Sequence, residues 1–350
     1  MPGRYTFVPK PSTLLTLAIL LAAASATVAS AETLVVANKS DATASLIDLG
    51  TGEVVATLPT GPGPHEVAIS PSGRRALVTD YGPRGEPGST LTLLDVATAK
   101  VVKTVDMEIF TRPHGAVWLD EHRVAVTAED QQAVVVVDMA AGWVEKAVPT
   151  GQEISHMLAV EGNRGYVANI GSGTLTVVDL ATGKHVADVP TGDGAEGVAV
   201  AGGHVWVTNR AADTVSVLDV STLAKVKDMD SPGFPIRAMA TPDGSKVLVT
   251  RARGGDLVIY DAENVGASRT VDLGMKATEL RDRLFGDRFG DSSVPIGVIV
   301  DRDGRRAWIA HANADVISEH DLETAEQTRI LKAGREPDGM GFTPVSVVVR

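Results

Sequence analysis

Three of the eight histidines in this 350-residue chain, His65, His114 and His156, stand just ahead of short apolar runs that end in turns. Glu196 and Asp338 hold the same place in two further runs, and Ile236 and Ile296 in the remaining two. Imidazole nitrogens and carboxylate oxygens ligate borderline divalent ions such as zinc or copper. Three converging imidazoles with one open position would suit a catalytic or a transport site. The spacing matches no local metal motif of the His-Glu-x-x-His kind, so the chemistry depends wholly on the fold gathering these positions. A wet channel mouth lined by polar side chains is the competing reading.

A second group stands at the ends of neighbouring apolar runs: Asp80, Tyr81, Arg210, Arg251, Arg253 and His311, with Arg237 directly after Ile236. Guanidinium groups beside imidazoles favour a small carboxylate- or phosphate-bearing ligand, held by forked hydrogen bonds. The alternative is that the arginines pair with nearby acids, Asp213 and Asp256. Either way, residues far apart in sequence must be brought to one place.

The elements that could do so recur seven times. Val35-Val36-Ala37-Asn38, Leu77-Val78-Thr79-Asp80, Ala125-Val126-Thr127-Ala128, Tyr166-Val167-Ala168-Asn169, Trp206-Val207-Thr208-Asn209, Leu248-Val249-Thr250-Arg251 and Trp308-Ile309-Ala310-His311 are each followed by a second run ending in Asp. That Asp comes ten residues on in every repeat but the second, where the distance is fifteen. A period of about forty residues made of short strands is the signature of a propeller, each repeat one four-stranded antiparallel blade. The strand-terminal aspartates are expected to cap turns. The chain opens on an outer strand at Leu34 and closes on an inner one from Asp338 to Thr343, so one of seven blades is expected to be completed jointly by the two ends.

The units Tyr166-Val167-Ala168-Asn169 and Trp206-Val207-Thr208-Asn209 are each followed by a Val-x-Asp strand, a Thr-Gly-like corner and a Pro-x-Gly element. They resemble the repeats of the YVTN family of bacterial β-propellers, and the likeness covers essentially all of the chain after residue 31. It implies an all-β, seven-bladed ring and export. Relatives of this fold include binding proteins, lactonase-like hydrolases and metal- or quinone-dependent redox enzymes, and fold alone does not choose among them.

Residues 1–31 read as a signal peptide: Arg4 and Lys10, an apolar stretch from Leu14 to Ala24, and the small residues Ala29-Ser30-Ala31. The stretch is too short to span a bilayer, so a periplasmic or secreted protein is expected, with 32–350 as one domain. Removing Arg4 and Lys10 takes the formal net charge from −12 to −14. Such a surface repels nucleic acid and anionic lipid. Without cysteine, the chain has no disulfide, thiolate metal site, covalently attached haem or cysteine nucleophile. No Gly-x-Ser-x-Gly elbow, phosphate loop or dinucleotide fingerprint is present.

One insertion, about 274–294, differs from the repeats. Ala277 to Phe285 has helix formers with Leu280 and Leu284 one turn apart, which predicts a short amphipathic helix serving as a lid or a docking element. The four tryptophans, Trp118, Trp143, Trp206 and Trp308, are expected between blades. The leading expectation is an exported binding or scaffold protein, a monomeric ring with a ligand or metal at its His-rich mouth and a protein partner or small anion as its target. The alternatives are a metal-dependent, lactonase-like hydrolase or lyase at the same mouth, and an accessory protein of a periplasmic redox enzyme.

Overall fold

In the computed structural model, which describes residues 1–4, 6, 32–278 and 280–348, the chain folds into seven four-stranded antiparallel sheets. The proposed leader therefore falls almost wholly outside the described residues. No helix among them is long and apolar enough to cross a membrane.

The innermost strands are Pro337–Thr343, Pro64–Ile69, Pro113–Trp118, Ser155–Glu161, Ala195–Ala201, Pro235–Ala240 and Pro295–Val300, which open blades 1 to 7 respectively. In blade 1 the C-terminal strand pairs with Thr33–Asn38, which is followed outward by Thr43–Asp48 and Glu53–Pro59. This joint blade closes the ring and removes a free sheet edge on either side. Val, Leu and Ile on the two middle strands of each blade are almost wholly buried between neighbouring blades, as with Leu77, Leu91 and Leu93 against Val124, Val126 and Val135. Each such side chain contributes about 1.5–3 kcal/mol by leaving water. Trp206 and Trp308 are buried in these seams, and Trp118 donates its indole N–H to the Ala68 carbonyl of the blade before. Trp143 differs: it lies on an outermost strand and is 62% exposed, because nothing packs outside that strand.

The seven strand-terminal aspartates cap turns. Asp48, Asp95, Asp138, Asp179, Asp219, Asp261 and Asp321 each accept a backbone N–H two or three residues on. The motif threonines act between blades. Thr127 accepts the Gly115 N–H of its own inner strand and donates to the His156 carbonyl of the next blade. Thr208 does the same for Gly197 and Ile236.

The last motif residue forms a ladder inside the blade. Asn38 donates to Thr43 and Ser45 hydroxyls and accepts the Gly334 N–H. Asp80 occupies the equivalent place, with Thr90, Thr92 and the Gly61 N–H as partners. Burial pushes its carboxyl up to about 6 from 3.8, against the pull of those hydroxyl groups. The folded protein thus holds a proton that the unfolded chain releases, so stability falls as pH rises from about 4 to about 6. Asn fits the same partners without the charge. Asp80→Asn is expected to stabilise the fold by about 1–3 kcal/mol at pH 7.5, with the gain vanishing below pH 4, as read by denaturant unfolding at both pH values.

Candidate functional site

All seven inner strands enter the ring in one way. The residue just before each strand, Gly63, Arg112, Ile154, Gly194, Phe234, Val294 or Glu336, has a φ between +53° and +74°. Left-handed backbone is costly for side chains other than glycine, about 1–2 kcal/mol each, and five of these seven are not glycine. What it achieves is a reversal of the chain at the mouth. The carbonyl of that residue accepts the N–H of the residue following the ladder position, as in Lys39 to Glu336, Tyr81 to Gly63, Arg210 to Gly194 and Ala252 to Phe234. The strand then shifts register within its first residues, a bulge that re-aims side chains toward the axis.

Two rings of side chains result. The first is the second residue of each inner strand: His65, His114, His156, Glu196, Ile236, Ile296 and Asp338, every one buried. The second is the residue after each ladder position: Lys39, Tyr81, Glu129, Ile170, Arg210, Ala252 and Ala312. Glu66 and Arg237, each directly after a first-ring residue, add a carboxylate and a guanidinium beneath. His65, His156, Glu196, Arg237 and Asp338 form the polar floor of a cavity of about 230 Å3, with Lys39, Tyr81, Glu129, Ile170, Arg210, Ile236 and Ile296 also lining it.

The floor is a continuous charge network. Arg237 is buried among Glu66, which it contacts closely, Glu196 at 3.5 Å and Asp338 at 3.4 Å. Burial opposes its charge, yet these three carboxylates hold its pKa above the usual arginine value. Glu196 also meets Arg210 at 2.6 Å, and against the cost of burial its neighbours Arg210, His156 and Arg237 hold its carboxyl down at about 2. Lys39 lies 3.4 Å from Asp338, and the Tyr81 hydroxyl donates to Glu129 at 2.6 Å.

The three imidazoles lie against one another, tilted rather than stacked. Ring centroids are 3.9 Å apart for His65 and His114, and 3.5 Å for His114 and His156. Their environments differ. Burial first, then nearby positive groups, hold His65 and His114 well below the usual histidine pKa, so both are neutral. Burial also works against a charge on His156, but Glu129 at Nδ1 and Glu196, 3.2 Å from Nε2, overcome it and raise its pKa. The Nε2 atoms of His65 and His114 are 3.2 Å apart. Behind His65, Nδ1 lies 3.3 Å from Asp338 and 3.5 Å from Glu66. Among the described residues, two three-residue groups could hold a metal: His65, Glu66 and His114, and His114, Glu129 and His156.

The structure thus brings His65, His114, His156, Glu196 and Asp338 to one mouth, with Tyr81, Arg210 and Arg237 beside them. Glu196 and Asp338 face bases and imidazoles rather than offering free oxygens, so they stand behind the candidate ligands instead of among them. Four other residues read as ligand-binding lie elsewhere. Asp80 and His311 are wholly buried at the ladder position, His311 between Ser293 and Ser318, where burial drops its pKa to about 3. Arg251 is at the same position and is forked onto Asp256, with its Nε 2.7 Å from the carboxylate. Arg253 lies outside the cavity, half-exposed, 3.3 Å from Asp213 and stacked on Phe234 and Phe289. The physical reason is strand alternation: the ladder side chain turns into the blade, and the next one faces the mouth. Lys39 and Glu129 escaped the sequence reading, although they share a repeat position with Tyr81 and Arg210. Glu66 had only its adjacency to His65 as a signal.

The described residues of the 274–294 insertion form no helix. Asp282 and Gly286 have positive φ, Arg283 is drawn down onto Asp315 and the Ala312 carbonyl, and Phe285 stacks on Phe289 at 5.2 Å. Leu284 and Phe285 line the cavity, so the segment roofs the mouth. A wider groove of about 500 Å3 lies between blades 6 and 7; there Asp261 caps a turn and Arg269 holds the Glu323 and Thr324 carbonyls.

The family model for YNCE-like β-propellers matches residues 9–125 and 116–282. No curated protein matches the sequence significantly. Among solved structures, a functionally unknown protein from Desulfotomaculum acetoxidans is similar at TM-score 0.73 and 10% identity, over 89% of this chain and 98% of that one. The periplasmic gluconolactonase of Pseudomonas aeruginosa is similar at TM-score 0.67 and 16% identity, over 89% and 99%. Hydrazine synthase of Kuenenia stuttgartiensis is similar at TM-score 0.65 and 17% identity, over 81% and 90%. At such identity the likeness shows a shared fold alone.

Proposed function

The chain belongs to the YNCE-like β-propeller family, and on that scaffold we propose an exported binding protein that holds a divalent transition metal at the channel mouth through His65 and His114. The observation that carries this reading is the pair of neutral, buried imidazoles with Nε2 atoms 3.2 Å apart. Two nitrogens bound at the usual 2.0–2.1 Å to one tetrahedral ion lie roughly 3.3 Å from each other. Asp338, 3.3 Å from Nδ1 of His65, is close enough to accept a hydrogen bond from that nitrogen after a small turn of the ring, which would orient Nε2 for an ion. Glu66 stands beside the pair and would serve as a further protein ligand. Export is supported by Arg4, Lys10, the apolar stretch 14–24 and Ala29-Ser30-Ala31. The ordered loops above the mouth, with the 274–294 roof, would carry any protein contact.

Titration calorimetry with zinc and copper, paired with elemental analysis, tests the metal. One equivalent should bind, and His114→Ala should weaken binding at least tenfold. Equal affinity in wild type and variant, or no binding in either, would discard this reading.

A further inference from the structure

The cavity has two halves of different chemistry. One is the charge network with Lys39, Tyr81, Glu129 and Arg210, and the other is an apolar set that includes the roof: Ile154, Ile170, Ile236, Ile296, Leu284 and Phe285. A site for a bare ion needs no such hydrocarbon lining. Its volume of about 230 Å3 is the share of roughly eight water molecules, far more than one ion occupies.

The charges point the same way. Four carboxylates, Glu66, Glu129, Glu196 and Asp338, surround three basic side chains, Lys39, Arg210 and Arg237. With every imidazole neutral this leaves one negative charge, and a divalent ion turns it into one positive charge; a protonated His156 adds another. Each carboxylate already has partners: Glu66 with Arg237, Glu129 with His156 and Tyr81, Glu196 with Arg210 and His156, Asp338 with Lys39 and Arg237. Drawing one of them onto the metal weakens the network that holds these bases, although Arg237 keeps Glu196 and Asp338 when Glu66 turns away. An uncompensated buried charge is costly, so an anion from outside is the favourable fourth partner.

Resting on the metal reading above, we propose that the mouth binds its ion together with a small organic carboxylate whose apolar body fills the space beneath Leu284 and Phe285. The carboxylate neutralises the ion and occupies its open position, near the rim cations Lys39 and Arg210. The hydrocarbon part meets the four isoleucines, where burial adds about 25 cal/mol per Å2 of apolar surface. Because ion and anion stabilise each other, their binding is coupled, and the coupling is reciprocal.

The test is zinc titration of the wild-type protein in buffer alone and with acetate, 4-methylpentanoate or its neutral amide at equal concentration. Zinc should bind at least tenfold more tightly with 4-methylpentanoate than with acetate, and the amide should have no effect. Zinc affinity indifferent to every additive would overturn the inference and leave the metal site standing. Acetate as effective as 4-methylpentanoate would overturn the apolar-bodied ligand. An amide as effective as the acid would overturn the charge argument. Absence of zinc binding in every arm would remove the metal reading itself, and this inference with it.

Discussion

Replacing Arg237 by leucine is expected to destabilise the folded ring by about 3–5 kcal/mol at neutral pH, a fall of roughly 10 °C in Tm. Arg237 is the single cation shared by Glu66, Glu196 and Asp338 in the floor of the mouth. Leucine fills much of its volume but leaves the Glu66 carboxylate without a base and takes one base from Glu196 and Asp338, which keep Arg210 and Lys39. The loss therefore comes from the stranded acid more than from the missing contacts. Its pH dependence separates this cause from a packing defect. Without the guanidinium, the Glu66 carboxyl, which burial already raises, rises further, so the variant binds more protons when folded and its stability falls as pH rises. Acidification toward pH 5 should narrow the gap to wild type, whereas a packing defect would hold it constant. Thermal unfolding of both proteins from pH 5 to 8 reads the difference.

Gly297→Ala is expected to cost about 3 kcal/mol or more, without that pH dependence. A Cβ on Gly297 would stand 2.0 Å from the Asp338 carbonyl oxygen of the neighbouring blade, and both groups belong to the backbone. Gly339 meets the His65 carbonyl oxygen in the same fashion at 2.4 Å. These two contacts flank the blade completed by the chain termini, so forcing either apart opens the ring where it closes. Since Asp338 stands behind His65, the variant should also lose metal affinity. Denaturant unfolding and zinc titration on one preparation would show both losses together. A Gly297→Ala protein of wild-type stability would mean that the inner strands are not packed as closely as described.

The ring of first-position residues was legible because each inner strand starts at an equivalent point of the repeat, so counting repeats already aligned His65, His114, His156, Glu196 and Asp338. Equivalent counting aligned Tyr81 and Arg210 with Lys39 and Glu129, but the latter pair attracts no notice until the mouth is seen. Asp80, His311 and Arg251 show the limit of the method. They lie one residue earlier, and in a strand one residue changes the face. Helix formers in 277–285 likewise misled, because contacts to Asp315, Phe289 and Phe234 outweigh weak helix propensity in so short a segment.

Periodicity, turn chemistry and the positions of the two chain ends determined the architecture from the sequence by itself, since a propeller repeats one local solution seven times. Which imidazoles are neutral, which acids are engaged and how wide the mouth is were decided only by the tertiary structure. Those properties arise from charges and rings separated by dozens of residues yet lying within a few ångströms, and electrostatic interaction depends on distance and burial, of which sequence spacing carries no record.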